Sequence, residues 1–230
     1  MSFNYKVSLV KLGAMLSLPF SKKLSSNIKS NANNIADHLS TVKPEELAKS
    51  HMTALMLLVV AYQNTGEFAK ALGIAEAAFQ HKHFVPPDQK TSLLAICHAG
   101  AFSGVVSAYD EGADKVRTLS ISEALIEHAI DGILLAGGSN KRYAAALGTL
   151  AFLHFTKSHL MGTDGLQLKM ARDLVIQAES NIPGHHQSEL TRYWPEGAAK
   201  LVGGDWENFV TETITDAFGG LAVKAKSPRI

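Results

Sequence analysis

Cysteine is nearly missing from this chain: Cys97 is the only one in 230 residues. A lone thiol excludes an intramolecular disulfide framework and any thiolate-rich zinc site. An excess of charge of one sign is missing too. Lys and Arg number 22, Asp and Glu 21, for a formal net charge of +1. That balance argues against a nucleic-acid protein working through a broad basic surface, because phosphate contacts need clustered positive charge. Long hydrophobic runs are lacking. The most apolar stretch outside the N-terminus, Met52 to Tyr62, falls far short of the ~20 residues of a spanning helix. Period-2 alternation is scarce, which leaves little room for strands. No low-complexity tract or long linker divides the chain into independent domains.

What is present is an ordinary globular composition, 46% apolar and 19% charged. At this length roughly 70–75% of the unfolded chain's surface can be removed from water. The first twenty residues hold Val7, Leu9, Val10, Leu12, Met15, Leu16 and Leu18, but Lys11 splits the run and Ser17-Leu18-Pro19-Phe20 makes a poor cleavage site. The expectation is an amphipathic first helix ending near Pro19, not a secretory signal, in a cytoplasmic protein. A membrane-surface helix is the weaker alternative, since two lysines give little attraction to anionic lipid.

Helical periodicity fills the remainder. Leu24, Ile28, Ala32, Ile35 and Leu39 form one helix face. Pro44, with Glu45 and Glu46 in the first turn, opens a helix whose stripe is Leu47, Ala54, Leu55, Leu58 and Tyr62 and which stops at Gly66. Phe68 to Phe79 follows, then the break Pro86-Pro87-Asp88. The spacing predicts a helix from Asp88 to Ala99 ended by Gly100, and a partner from Phe102 to Val116. Further helices are expected from Ser120 or Ser122 to Gly137, from Arg142 to about Leu160, from Leu166 to about Ile182, from Ser188 to Val202, and from Trp206 to Phe218. The fold class is therefore all-α, with about ten helices and short connections.

The joints Gly66-Glu67-Phe68 and Gly100-Ala101-Phe102 are 34 residues apart, which is the tetratricopeptide period. Gly204-Asp205-Trp206 has a similar form. The segment Leu55 to Pro87 resembles the tetratricopeptide repeat family. Leu55, Leu58 and Tyr62 sit at its large apolar positions, Gly66 at its turn, Ala71 and Ala78 at its small positions, and Pro86 near its end. Val59 and Ala75 depart from the pattern. The unit from Pro86 to Leu119 keeps Gly100, Ile96 and Tyr109 but has Ser92 and Val105 at mismatched positions. The resemblance implies stacked antiparallel helical hairpins forming a superhelix. The expected organisation is one helical-repeat domain over residues 1–222. It comprises capping helices at 1–42, the best repeats at 43–120 and degenerate hairpins at 121–222, with a loose tail at 223–230.

Residues capable of chemistry form no converging set. His81 and His83 lie at a helix end and His185-His186 in a loop, without the three or four ligands a metal needs. Gly137-Gly138-Ser139-Asn140-Lys141-Arg142 lacks the strand and the Gly-Lys-Ser/Thr ending of a phosphate loop; it reads as a helix stop and a capped restart. Glu123, Glu127 and Asp131 read as a solvated helix face. Cys97 and His98, about 100° apart on a helix, make a poor nucleophile–base pair. Trp194 and Trp206 read as packing residues. No catalytic residue, metal or cofactor is expected.

The functional expectation is accordingly a protein-interaction module, an adaptor or scaffold, that binds a peptide or protein segment on a concave helical surface. The alternative is an assembly protein that self-associates or joins a larger particle. In the family the resemblance points to, ligand contacts come from the first helix of each unit. That implies Thr53, Met56, Val60, Gln63 and Asn64, and in the 34-spaced unit Lys90, Leu94, Cys97 and His98, as the partner-binding face.

Overall fold

Helix is what the periodicity predicts. In the computed structural model of the chain 86% of the described residues are helical and none lies in a strand. The structure describes residues 4–18, 21–137, 140–162, 165–183 and 205–218. Among them are ten α-helices: α1 (Tyr5–Leu16), α2 (Lys22–Leu39), α3 (Pro44–Ser50), α4 (Met52–Asn64), α5 (Phe68–Gln80), α6 (Lys90–Ser107), α7 (Lys115–Leu135), α8 (Asn140–Met161), α9 (Gly165–Asn181) and α10 (Asp205–Phe218). Two single 3₁₀ turns, Lys82–Phe84 and Pro87–Gln89, bridge α5 to α6 around the expected proline break.

Consecutive helices from α4 to α9 pack on one another, and α4 with α6, α5 with α7, and α6 with α8 also touch. Helices α1 and α2 pack together and against α4, while α10 lies on α9. One contiguous cluster of buried apolar side chains runs from Leu12 in α1 to Ile214 in α10. The α2 stripe behaves as its spacing predicts: Ile28, Ala32, Ile35 and Leu39 are all buried. Trp206 packs among Phe152, Phe155 and Phe209, as a core residue should.

Three expected boundaries move. The helix expected to run on from Pro44 breaks at His51, whose backbone leaves the helical region (φ −124°, ψ 15°). There the Tyr5 hydroxyl hydrogen-bonds His51 Nδ1 at 3.0 Å, and the two rings meet edge to face. Helix α7 starts at Lys115 instead of Ser120 or Ser122, because the Asp114 side chain accepts the Arg117 N–H at 3.1 Å and caps it. The boundary expected at residue 120 consequently falls inside a helix.

The largest correction concerns Gly100. It does not end a helix. It lies in the middle of α6, which runs unbroken from Lys90 to Ser107. The hairpin expected at the 34-residue spacing does not form, and the chain turns instead at residues 108–114. Gly100 serves close approach: a Cβ there would collide with the Cβ of Ala75 on α5. The expectations at Ser188–Val202, at Gly204, at His185, His186 and Trp194, and for the tail at 223–230 lie outside the described residues.

Candidate functional site

A groove of about 460 Å³ is bounded by α2, α3, α4 and α5. Its construction starts with α4. Leu55, Leu58 and Tyr62 recur at three and four residues, so they share one face and form the floor. The C-terminal half of α2 gives one wall, with Asn33, Ala36 and Asp37 beside its buried stripe. Helix α5 gives the other, with Lys70, Gly73, Ile74 and Ala77. Leu47 and Ala48 of the short α3 close one end, a position made possible by the break at His51. Small residues on the α5 wall keep the trough open: a Cβ on Gly73 would meet nothing within 4 Å.

The other end is polar. Helix α4 finishes in a Schellman motif. Gly66 adopts φ 76°, its N–H bonds the Gln63 carbonyl at 3.1 Å, and the Glu67 N–H bonds the Tyr62 carbonyl at 2.8 Å. That turn holds Glu67 where it pairs with Lys29 of α2 and with Lys70 of α5, the latter at 2.9 Å. The Tyr62 hydroxyl donates to Asn33 Oδ1 at 3.1 Å, and the Lys70 ammonium donates to the same oxygen at 3.4 Å. Hydrogen bonds from Lys29 and Lys70 hold the Glu67 carboxyl below its usual range. Burial, with the charges of Asp37 and Glu67 adding to it, pushes the Tyr62 phenol up. The groove therefore combines an apolar trough with a charged, hydrogen-bonding end, the composition of a recognition site.

The face implied by the repeat resemblance is the opposite side of α4, and the structure divides its members. Thr53 is exposed, while Met56, Val60 and Asn64 are half-buried. Gln63 is interior, only 2% exposed, and donates from Nε2 to the Ala99 carbonyl at 2.9 Å and to Ser103 Oγ at 3.0 Å. It is a tie between α4 and α6, not a group presented to a partner. On α6, Lys90 is exposed and Leu94 is half-buried against Gly132 of α7. Cys97 is buried, and desolvation pushes its thiol up to about 12. His98 hydrogen-bonds Thr149 Oγ1 of α8 through Nε2 at 2.9 Å. Much of this face is therefore engaged in packing α4, α6, α7 and α8 together.

The other candidates also find places. His81 caps the end of α5, and its ring lies near His83 and Phe84. No group of three or more His, Cys, Asp or Glu side chains converges among the described residues. Glu127 and Asp131 are exposed as expected, but Glu123 pairs with Lys157 of α8 at 2.7 Å and so joins two helices. The sequence reading missed the groove because Leu55, Leu58 and Tyr62 look like ordinary packing positions. The available signal was the small-residue face of α5, with Gly73 in mid-helix. No protein-family model, curated protein or solved structure matches the chain.

Proposed function

We propose that the chain is a binding module that takes an apolar helical segment of a protein partner into the α2–α5 groove. The observation that carries this reading is the groove itself: an apolar trough of about 460 Å³, floored by Leu55, Leu58 and Tyr62 and closed by the Asn33–Lys70–Glu67 cluster. Its volume lies within the ~300–1,000 Å³ common for ligand sites. An amphipathic helix laid along such a trough places side chains at i, i+3 or i+4 and i+7 against the floor. Its polar groups then meet Asn33, Asp37 and Lys70. The tetratricopeptide-like reading of Leu55 to Pro87 supports a recognition role through α4 and α5, with the groove on the side of α4 away from Thr53, Met56 and Val60. The function is that of an adaptor or scaffold, and a cytoplasmic setting suits a single cysteine without a disulfide partner.

Selection from a displayed library of random peptides tests this directly. The enriched peptides are expected to share apolar residues at helical spacing. In methyl spectra of the labelled protein their binding should shift Leu39, Leu55, Leu58 and Ile74. Shifts confined to Met56, Val60 and Leu94 would instead place recognition on the opposite face of α4 and overturn the assignment.

A further inference from the structure

Helix α1 is apolar on two sides. Leu12 and Met15 are buried, and Tyr5, Leu9 and Leu16 pack beside them against the core. The opposite side carries Val7, Val10 and Ala14, with Leu18 just past the helix end; Val7 is 61%, Val10 75% and Leu18 57% exposed. The amphipathic helix expected from the sequence is thus apolar on its outer face as well. The helix therefore carries a second, narrow apolar stripe on the side away from the core, exposed where a surface helix normally presents polar residues.

The arrangement of that outer face is specific. At about 100° per residue, Val10, Ala14 and Val7 fall within about 60° of arc, and Lys6 and Lys11 flank them about 40° beyond on either side. Both lysines are exposed, and no ion pair ties either one to an acidic group among the described residues. Charge along the chain is the second observation. The first 36 residues contain Lys6, Lys11, Lys22, Lys23 and Lys29 and no Asp or Glu, although the whole chain is nearly neutral. Lys29 is engaged with Glu67, whereas Lys23 is exposed like Lys6 and Lys11.

We infer that this outer face of α1 docks the protein onto an anionic lipid surface. The helix lies in the plane of the interface with Val7, Val10 and Ala14 directed at the acyl boundary, and the lysine stems reach around them to the headgroups. A narrow aliphatic stripe binds a bilayer weakly, and two lysines alone add little; what the sequence did not show is that stripe and lysines share one exposed face of α1, in a stretch of 36 residues without Asp or Glu. A second copy of the chain is a poorer occupant, because a self-complementary contact sets lysine flanks against lysine flanks. The stripe also lacks the Trp, Tyr or Arg anchors that dominate protein interfaces.

The experiment is co-sedimentation of the full chain with phosphatidylcholine vesicles made with and without phosphatidylserine, at low and high salt, with light scattering of the free protein. The wild type is expected to bind the phosphatidylserine vesicles, to lose binding as salt rises, and to leave pure phosphatidylcholine unbound. Lys6→Glu with Lys11→Glu should lower partitioning by at least about fivefold per lysine. Val7→Ser with Val10→Ser should lower it at low salt, where the wild type binds. All four positions are exposed, so helicity should stay that of the wild type, and circular dichroism checks this. Equal binding to both vesicle types, binding to neither, or variants that bind like the wild type would overturn the inference. A wild-type dimer that Val7→Ser with Val10→Ser turns into a monomer would overturn it as well, and would make the face a self-interface.

Discussion

Gly66 and Gly100 are 34 residues apart in the sequence and answer to different constraints in the structure. Gly66 is required by its backbone, at φ 76°. Gly100 is required by its neighbour, Ala75. Gly66→Ala should therefore cost about 1 kcal/mol through left-handed strain, and Gly100→Ala about 1–3 kcal/mol through overpacking. Adding Ala75→Gly should recover part of the second loss and none of the first in urea unfolding; equal recovery of both, or of neither, would remove the distinction. Gln63→Ala should cost about 1–3 kcal/mol, because Ala99 and Ser103 lose a buried partner; stability equal to wild type would mean that Gln63 is not a structural tie. Burial raises the Cys97 thiol to about 12, above its unfolded value of 9.0. The fold thus favours the neutral thiol. Its contribution is fully present below the unfolded value and is lost as pH rises toward the folded one. Iodoacetamide at pH 8 should leave Cys97 unmodified in the folded chain and alkylate it in urea, read by intact mass. Rapid alkylation without denaturant would contradict the buried placement.

Among whole helices, those with clear punctuation were legible before the structure. Ala32, Ile35 and Leu39 announce α2; Gly66 and Phe68 announce the α4–α5 turn; Asn140 and Leu166 lie close to the starts of α8 and α9. The misreadings share one cause. Gly100 looks like a stop because glycine often ends helices, yet only the third dimension shows that α5 lies against it. His51 looks like a mid-helix residue because its bond to Tyr5 spans 46 positions in sequence. The groove was illegible for a related reason: burial stripes reveal which face of α4 is apolar, but not that α2 and α5 stand apart over it. The placement of the turn can be checked by insertion. Two residues added after Glu111, in the exposed α6–α7 connection, should leave cooperative unfolding close to wild type. The same insertion after Gly100 rotates the second half of α6 by about 200°. Val105 and Val106 then leave the core, and the protein should lose cooperative melting. If the two insertions destabilise equally, α6 is not the continuous element described.

Taken as one molecule, the chain sets two apolar features on its N-terminal half: the trough between α2 and α5 and the lysine-flanked outer side of α1. The second half contributes bulk to the common core, through Phe152, Leu153, Val175 and Ile214. On this account recognition belongs to residues 21–80 and the later helices hold that surface rigid. The most direct measurement is a fluorescence-anisotropy titration of a library-selected peptide against the wild type and Gly73→Phe. The substitution removes a glycine from a helix interior, which favours folding, and a side chain there has open space to occupy inside the groove. The account predicts an unchanged or raised melting temperature and a Kd weakened at least tenfold, about 1.4 kcal/mol. A folded Gly73→Phe protein that binds the peptide as tightly as the wild type would contradict it.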